Sequence, residues 1–412
     1  MAAPWGDRNI ITCDMGGTSF DITLTRDGKA NVNKDIDFLR YRIGIPMIQV
    51  ETLGAGGGSV GWIDSMGLMQ MGPQSAGADP GPACYSQGGT RPTTTDANLT
   101  LGYLSSTGLV GGRLPLDVEK SRTAIRTHLA EPLGLSLEKA AYGMFTIVNN
   151  NMVNAIRRVS VERGYDPRDF VLMGAGGATG AHVTALAREM GIRKVLISKL
   201  ASGLCAYGQI LSDVKYNYMA PAPLRLDEAV AGAHLNKLFS GLEARGAVDL
   251  EGNGFASDEI SISRSLDMRY VGQVHECTVE IDTFDIEQLG LGAISQAFHT
   301  RHKELYTYDE PQSPVEVVNV ESTIIGHLDK PRRQKIAAGK GAETALQGYR
   351  DMVFSLEGTA KSTPVYTGSA LGAGDHLSGP AVIEEVTTTI VIEPGWNAAL
   401  HESGVYVLTP QA

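Results

Sequence analysis

Cysteine is scarce in this chain. Its 412 residues include only Cys13, Cys84, Cys205 and Cys277, far apart and with no Cys-x-x-Cys pair. That spacing argues against a disulfide framework or a zinc site, and a reduced, cytoplasmic setting is expected. Basic clusters are absent: 35 Lys and Arg stand against 46 Asp and Glu, a formal net charge of -11. Nucleic acid is therefore not an expected partner. No stretch of about 18 or more uninterrupted apolar residues occurs, so no membrane span is expected. No basic n-region followed by an apolar h-region opens the sequence, so no secretory signal is read. No internal repeat stands out. What is left, 42% hydrophobic and 20% charged, is the composition of a soluble globular protein long enough for two or three domains.

Glycine, by contrast, is plentiful at 49 residues, much of it in the first half. The most informative run is Ile10-Ile11-Thr12-Cys13-Asp14-Met15-Gly16-Gly17-Thr18-Ser19-Phe20-Asp21. A β-prone stretch enters a glycine turn and a second strand returns. Backbone N–H groups at Gly16, Gly17 and Thr18 can approach a phosphate, because glycine has no Cβ to hold the anion off. Asp14 and Asp21 are the catalytic candidates, as carboxylates that hold a magnesium-bound water or orient an attacking one. The competing reading is a plain β-turn in which Gly16 and Gly17 supply φ > 0 and Thr18 only caps the turn. The pattern resembles the phosphate-binding hairpin of the actin-like ATPases, which use two such hairpins; only one is visible here.

Along the chain, 9–14 and 19–25 read as the hairpin, 30–41 as a further strand, and 72–92 as a Gly/Pro loop without regular elements. A helix is expected near 137–163, with Phe145, Val148, Met152, Ile156 and Val159 on one face. The strand Phe170–Met173 then runs into Gly174-Ala175-Gly176-Gly177-Ala178-Thr179-Gly180 and a helix to about Met190. A strand at 194–198 and a helix at 203–213 follow. Pro221-Ala222-Pro223 reads as a linker. Beyond it come a helix near 227–246, strands within 259–282, a helix near 286–306 and a β-rich end.

Several segments carry competing readings. Gly174, Gly176 and Gly177 lie where a strand meets a helix N-terminus, an anion or nucleotide-edge site, or simply a tightly packed turn. Gly54–Gly61 reads as a phosphate cradle, a close backbone approach or a flexible connector. Arg91, Asp96 and Asn98 end the Gly/Pro loop and either face a ligand or, for Asp96, cap the next helix. His299 and His302 share a helical face but have no third ligand, so satisfied imidazoles are expected over a metal site. Cys84 is expected to be a small structural residue rather than a nucleophile.

The stretches 13–24, 51–64, 72–104, 155–170, 268–281, 298–306 and 379–396 together resemble the hydantoinase A/oxoprolinase family, which includes the acetone and acetophenone carboxylases. They span nearly the whole chain in family order, and 72–104 is the most specific. The resemblance implies an α/β fold: an actin-like (ribonuclease H-like) ATPase lobe at 1–222, an α+β domain at 223–340 and a β-rich C-terminal domain at 341–412. It implies ATP with Mg2+, or Mn2+ in its place, and phosphorylation of a carbonyl-derived oxygen. The expected partners are a full-length hydantoinase A-type subunit and a hydantoinase B-type subunit, with a small carbonyl compound and bicarbonate as substrates.

This sequence departs from the family pattern in two places. A family member's first lobe, with an earlier hairpin, is not seen, so Asp14–Asp21 corresponds to the second phosphate motif and 174–180 to the adenosine motif. The latter carries an extra residue and no proline. The first expectation is therefore a subunit of an acetophenone carboxylase-like complex, acting as half of a nucleotide site or as a degenerate supporting paralogue. A subunit of a ring-opening amidohydrolase acting on hydantoins or 5-oxoproline is the alternative. A purely structural subunit without nucleotide is a third.

Overall fold

The computed structural model describes residues 6–33, 36–38, 40–43, 47–228, 231–281, 286–331 and 334–411. The chain packs as two compact units, Met1–Tyr207 with Arg333–Ala412, and Gly208–Arg332.

In the first unit the hairpin forms as the sequence predicts, from Ile10–Met15 and Phe20–Arg26. Alternation sets its two faces. Cys13, Met15, Phe20 and Ile22 are buried, whereas Thr12, Asp14 and Asp21 are half-buried. Ile10–Met15 also runs parallel to Val171–Ala175, which pairs with Val195–Ser198. The helix Leu137–Val159 starts at Ser136, whose side chain accepts from Lys139 N–H. Its expected face is buried: Phe145, Val148, Met152, Ile156 and Val159 are each 2% exposed or less.

The β-rich end does not stand apart as the division at 341 anticipated. Val405–Pro410 pairs antiparallel with Val195–Ser198 and brings Trp396–Leu400 and His376–Ser378 into the same nine-stranded sheet. Without it, Val195–Ser198 would leave an open edge of unpaired N–H and C=O groups. Among the described residues this unit also holds a sheet of four strands, from Leu346–Val353 to Thr389–Ile392, and three two-stranded sheets. The stretch read as one strand at 30–41 is a set of short strands, among them Val32–Asn33, Ile36–Phe38 and Tyr41–Ile43, with 34, 35 and 39 outside the described residues.

The second unit is a four-stranded antiparallel sheet ordered Val214–Arg225, Val315–Gly326, Ile260–Tyr270, Cys277–Glu280, with the helices Ala231–Gly252 and Ile286–Tyr306. Its core contains Phe239, Leu266, Met268, Phe298 and Val320. Pro221-Ala222-Pro223, read as a linker, lies inside the strand Val214–Arg225, with Ala222 fully buried. The strand tolerates both prolines because it is the sheet edge and shifts register between Pro221 and Leu224. The expected boundary at 222/223 therefore falls within a strand, and the compact unit begins at Gly208 instead.

Candidate functional site

The two candidate carboxylates fall on one face of the hairpin because its register places Asp14 directly opposite Asp21. Partners in register share a face. Asp21 accepts from Thr52 Oγ1 (2.6 Å) and Ser19 Oγ (3.1 Å). Asp14 Oδ2 accepts the thiol proton of Cys205 at 3.0 Å. That hydrogen bond, then burial and the charges of Asp14 and Asp21, push the Cys205 thiol up to about 11. The thiol thus stays protonated at neutral pH and is a donor rather than a nucleophile.

At the turn between the carboxylates, Gly16 N–H donates to Ser19 O at 3.1 Å. Neither Gly16 nor Gly17 is among the positive-φ residues, and a Cβ added to either would meet nothing within 4 Å. The φ > 0 of the plain-turn reading is therefore not found, and neither backbone conformation nor packing within this chain calls for glycine at these positions. Gly17 and Thr18 are exposed, and among the described residues no acceptor is paired with either backbone N–H. Thr18 Oγ1 lies 3.3 Å from Ser75 Oγ.

The Gly54–Gly61 segment resolves as a close backbone approach. Gly57 N–H and Gly58 N–H donate to Gly16 O and Gly17 O at 3.0 and 2.6 Å, and Gly56 N–H donates to Ser59 Oγ. Those three N–H groups are spent inside the chain, so they do not cradle a phosphate. A Cβ on Gly56 would come within 2.6 Å of Thr18 N. This loop packs directly against the turn, through Gly56 against Thr18 N and through the hydrogen bonds to Gly16 O and Gly17 O.

The second glycine segment joins the site in part. Gly176, at φ +81°, lies against the hairpin: a Cβ there would come within 2.4 Å of both Asp14 Oδ1 and Met15 O. Met15 N–H donates to Thr179 Oγ1 at 2.7 Å, and Ala178 N–H donates to Met15 O. Gly177 is exposed, whereas Gly174 packs under Ile197 and Thr179. The expected open helix N-terminus is absent here: a buried 3-10 turn, Thr179–Ala181, and buried His182 precede the helix Val183–Met190.

Most of the other candidates are engaged within the fold. Asp96 is fully buried and accepts from Ala83 N–H, Cys84 N–H, Thr93 N–H, Thr93 Oγ1 and Ser121 Oγ, so it caps its helix and ties down the Gly/Pro loop. Asn98 donates its amide to His182 Nε2, and His182 Nδ1 donates to Asn149 Oδ1. Arg91 is exposed. Buried Cys84 has its thiol pushed up, first by burial and then by Asp96. In the second unit His299 pairs with Tyr270 OH, and His302 with Gln273 and Tyr308 O; no metal-holding group occurs among the described residues. Sequence reasoning missed Cys205 and Thr52 as partners of the carboxylates. They lie 191 and 31 positions away from them, and no local pattern marks either.

The fold and this hairpin define an α/β protein of actin-like construction. Family models match it twice: "Hydantoinase/oxoprolinase" over residues 2–218 and "Hydantoinase/oxoprolinase C-terminal domain" over 225–409. The chain belongs to the hydantoinase/oxoprolinase family. It is 52% identical to the caprolactamase subunit alpha of Pseudomonas jessenii, over 100% of this chain and 59% of that one. It is 32% identical to the acetophenone carboxylase gamma subunit of Aromatoleum aromaticum, over 98% of this chain and 56% of the other. The crystal structure of the ATP-dependent caprolactamase from Pseudomonas jessenii superimposes with a TM-score of 0.85, covering 100% of this chain and 60% of that one. A nucleotide-free acetone carboxylase structure, 26% identical, gives 0.84 over 98% and 59%. The chain thus spans less than two thirds of the length of these relatives. Among the described residues no helix is long and apolar enough to cross a membrane.

Proposed function

We propose that this chain supplies a phosphate-binding hairpin to an ATP-dependent enzyme that activates a carbonyl oxygen, and that the compound activated is a cyclic amide. The observation that carries the phosphate reading is the Gly16-Gly17 turn. Its glycines answer to no backbone or packing need of the chain, and they sit between two facing carboxylates. Backbone N–H groups of Gly17 and Thr18 would meet phosphate oxygens, and Asp14 and Asp21 would hold a magnesium-bound water beside them. Gly177 is the exposed glycine of the second segment, and in this reading it is the one that would touch a nucleotide. ATP, when bound, supplies the phosphoryl group that turns a poor leaving oxygen into a phosphate ester.

The lactam reading moves ahead of the carboxylase one because of the 52% identity to a caprolactamase subunit, against 32% to an acetophenone carboxylase subunit. Superposition does not separate them, at TM-scores of 0.85 and 0.84. Ketone carboxylation with bicarbonate is therefore the second reading. Both relatives are named as subunits, which supports assembly with further subunits of hydantoinase A and B type, in the cytoplasm that the cysteine spacing suits.

The test is Gly17→Ala in the assembled enzyme, assayed for ATP consumption with a lactam and, separately, with a ketone plus bicarbonate. The added methyl enters open space, so thermal stability should hold, while kcat/KM for ATP should fall roughly tenfold or more. Unchanged ATP dependence would remove the phosphate role. ATP consumption with the ketone and bicarbonate but not with the lactam would select the carboxylase reading.

A further inference from the structure

Two residues distant in sequence hold the two oxygens of the Asp14 carboxylate. Oδ2 accepts the S–H of Cys205. Oδ1 rests over the bare Cα of Gly176, in space that any Cβ would take. The thiol is itself presented by an anchored turn. Cys205 is the second residue of the helix Leu204–Ile210, and the turn before it, Ala201–Gly203, is tied to Gly176 through Gly176 N–H to Ala201 O at 2.8 Å. Ser202 Oγ donates to Thr387 Oγ1 at 2.5 Å from the same turn. One hydrogen-bonded junction thus carries both the thiol and the glycine that bracket the carboxylate. Asp21 is held separately, by Thr52 and Ser19.

We propose that Cys205 is a positioning residue for the phosphate-binding hairpin: its thiol donates to Asp14 Oδ2 and keeps that carboxylate in its present orientation, on the face it shares with Asp21. The proposal rests on the phosphate-site reading above. A carboxylate released from such a hold samples other rotamers, and a misplacement of about 1 Å at a reacting centre costs up to roughly a hundredfold in rate. Hydroxyl oxygen can replace the thiol as donor; a methyl group cannot.

Three variants of the assembled enzyme test it: Asp14→Asn, Cys205→Ala and Cys205→Ser. The expected pattern is loss of ATP-dependent turnover in Asp14→Asn. Cys205→Ala should show a fall in kcat of about tenfold with KM for ATP changed less than about twofold. Cys205→Ser should recover to within about twofold of the parent, with the melting temperature of all three unchanged. A second readout needs no turnover. N-ethylmaleimide labelling of Cys205, followed by peptide mass spectrometry, should slow when ATP and magnesium are added. Full turnover in Cys205→Ala alongside a dead Asp14→Asn overturns the positioning role and leaves the phosphate site standing. A defect that serine does not rescue, or labelling indifferent to ATP and magnesium, also overturns it. Full turnover in Asp14→Asn overturns both readings together.

Discussion

Asp14 and Asp21 stand directly opposite each other across an antiparallel pair, two carboxylates on one half-buried face. Like charges in that relation destabilise a sheet. Here each is met by its own donors, Cys205 for Asp14, and Thr52 with Ser19 for Asp21. An arrangement that costs stability and is supported on both sides fits a site better than it fits a scaffold.

Asp21→Asn should therefore separate function from stability. Removing one charge relieves the cross-strand repulsion, so the folded state should hold its stability or gain about 0.5 kcal/mol. If the proposed phosphate role holds, ATP-dependent turnover of the assembled protein should fall roughly a hundredfold. Urea midpoints and steady-state rates on the same preparation check both.

Gly56→Ala should behave opposite to Gly17→Ala. Its Cβ would press on Thr18 N and Gly17 C, backbone atoms that cannot swing aside. A loss of about 1–3 kcal/mol is expected from such overpacking. A melting temperature equal to that of Gly17→Ala would show that the loop does not buttress the turn.

Asp96→Ala should be among the most damaging single changes in the first unit. It would strand the N–H groups of Ala83, Cys84 and Thr93 and the hydroxyl of Ser121 in a buried setting. A cost of about 3 kcal/mol or more follows, together with faster proteolysis within 77–92 once the loop loses its tie. Limited proteolysis with mass spectrometry reads the cleavage site.

His182 predicts a pH dependence. Burial lowers it from 6.5 to about 3, so the folded state keeps the ring neutral while the unfolded chain takes up a proton below about 6.5. Its contribution is complete above that pH and is lost as pH falls toward 3, at about 1.4 kcal/mol per unit. His182→Gln can keep amide contacts to Asn98 and Asn149. It should show a shallower fall in stability between pH 7 and pH 4 than the parent, whatever its stability at pH 7. Parallel slopes in chemical denaturation at the two pH values would contradict this.

Much of the fold was legible because local rules governed it. Alternation marked the hairpin, a step of three and four marked the helix Leu137–Val159, and Gly164 and Gly191 closed elements in the left-handed conformation that favours glycine. Pro221-Ala222-Pro223 misled because proline argues against a strand unless the strand is an edge, and edge position belongs to the sheet rather than to the segment. The C-terminal strands misled for a related reason: their pairing with Val195–Ser198 spans about half the chain, beyond any local signal.

The sequence by itself determined that Asp14 and Asp21 lie on the two arms of one hairpin, because two alternating strands flank a short glycine turn; the register that sets them opposite each other came only with the folded pairing. The sequence also determined which glycines were available. What each glycine is for was decided only by the tertiary structure. Gly56 is there to let a loop close on the turn, and Gly176 to make room for a carboxylate. At Gly16 and Gly17 the chain itself fills none of the space a side chain would take. The distinction rests on what occupies the space a Cβ would enter, and folding brings that neighbour from far along the chain.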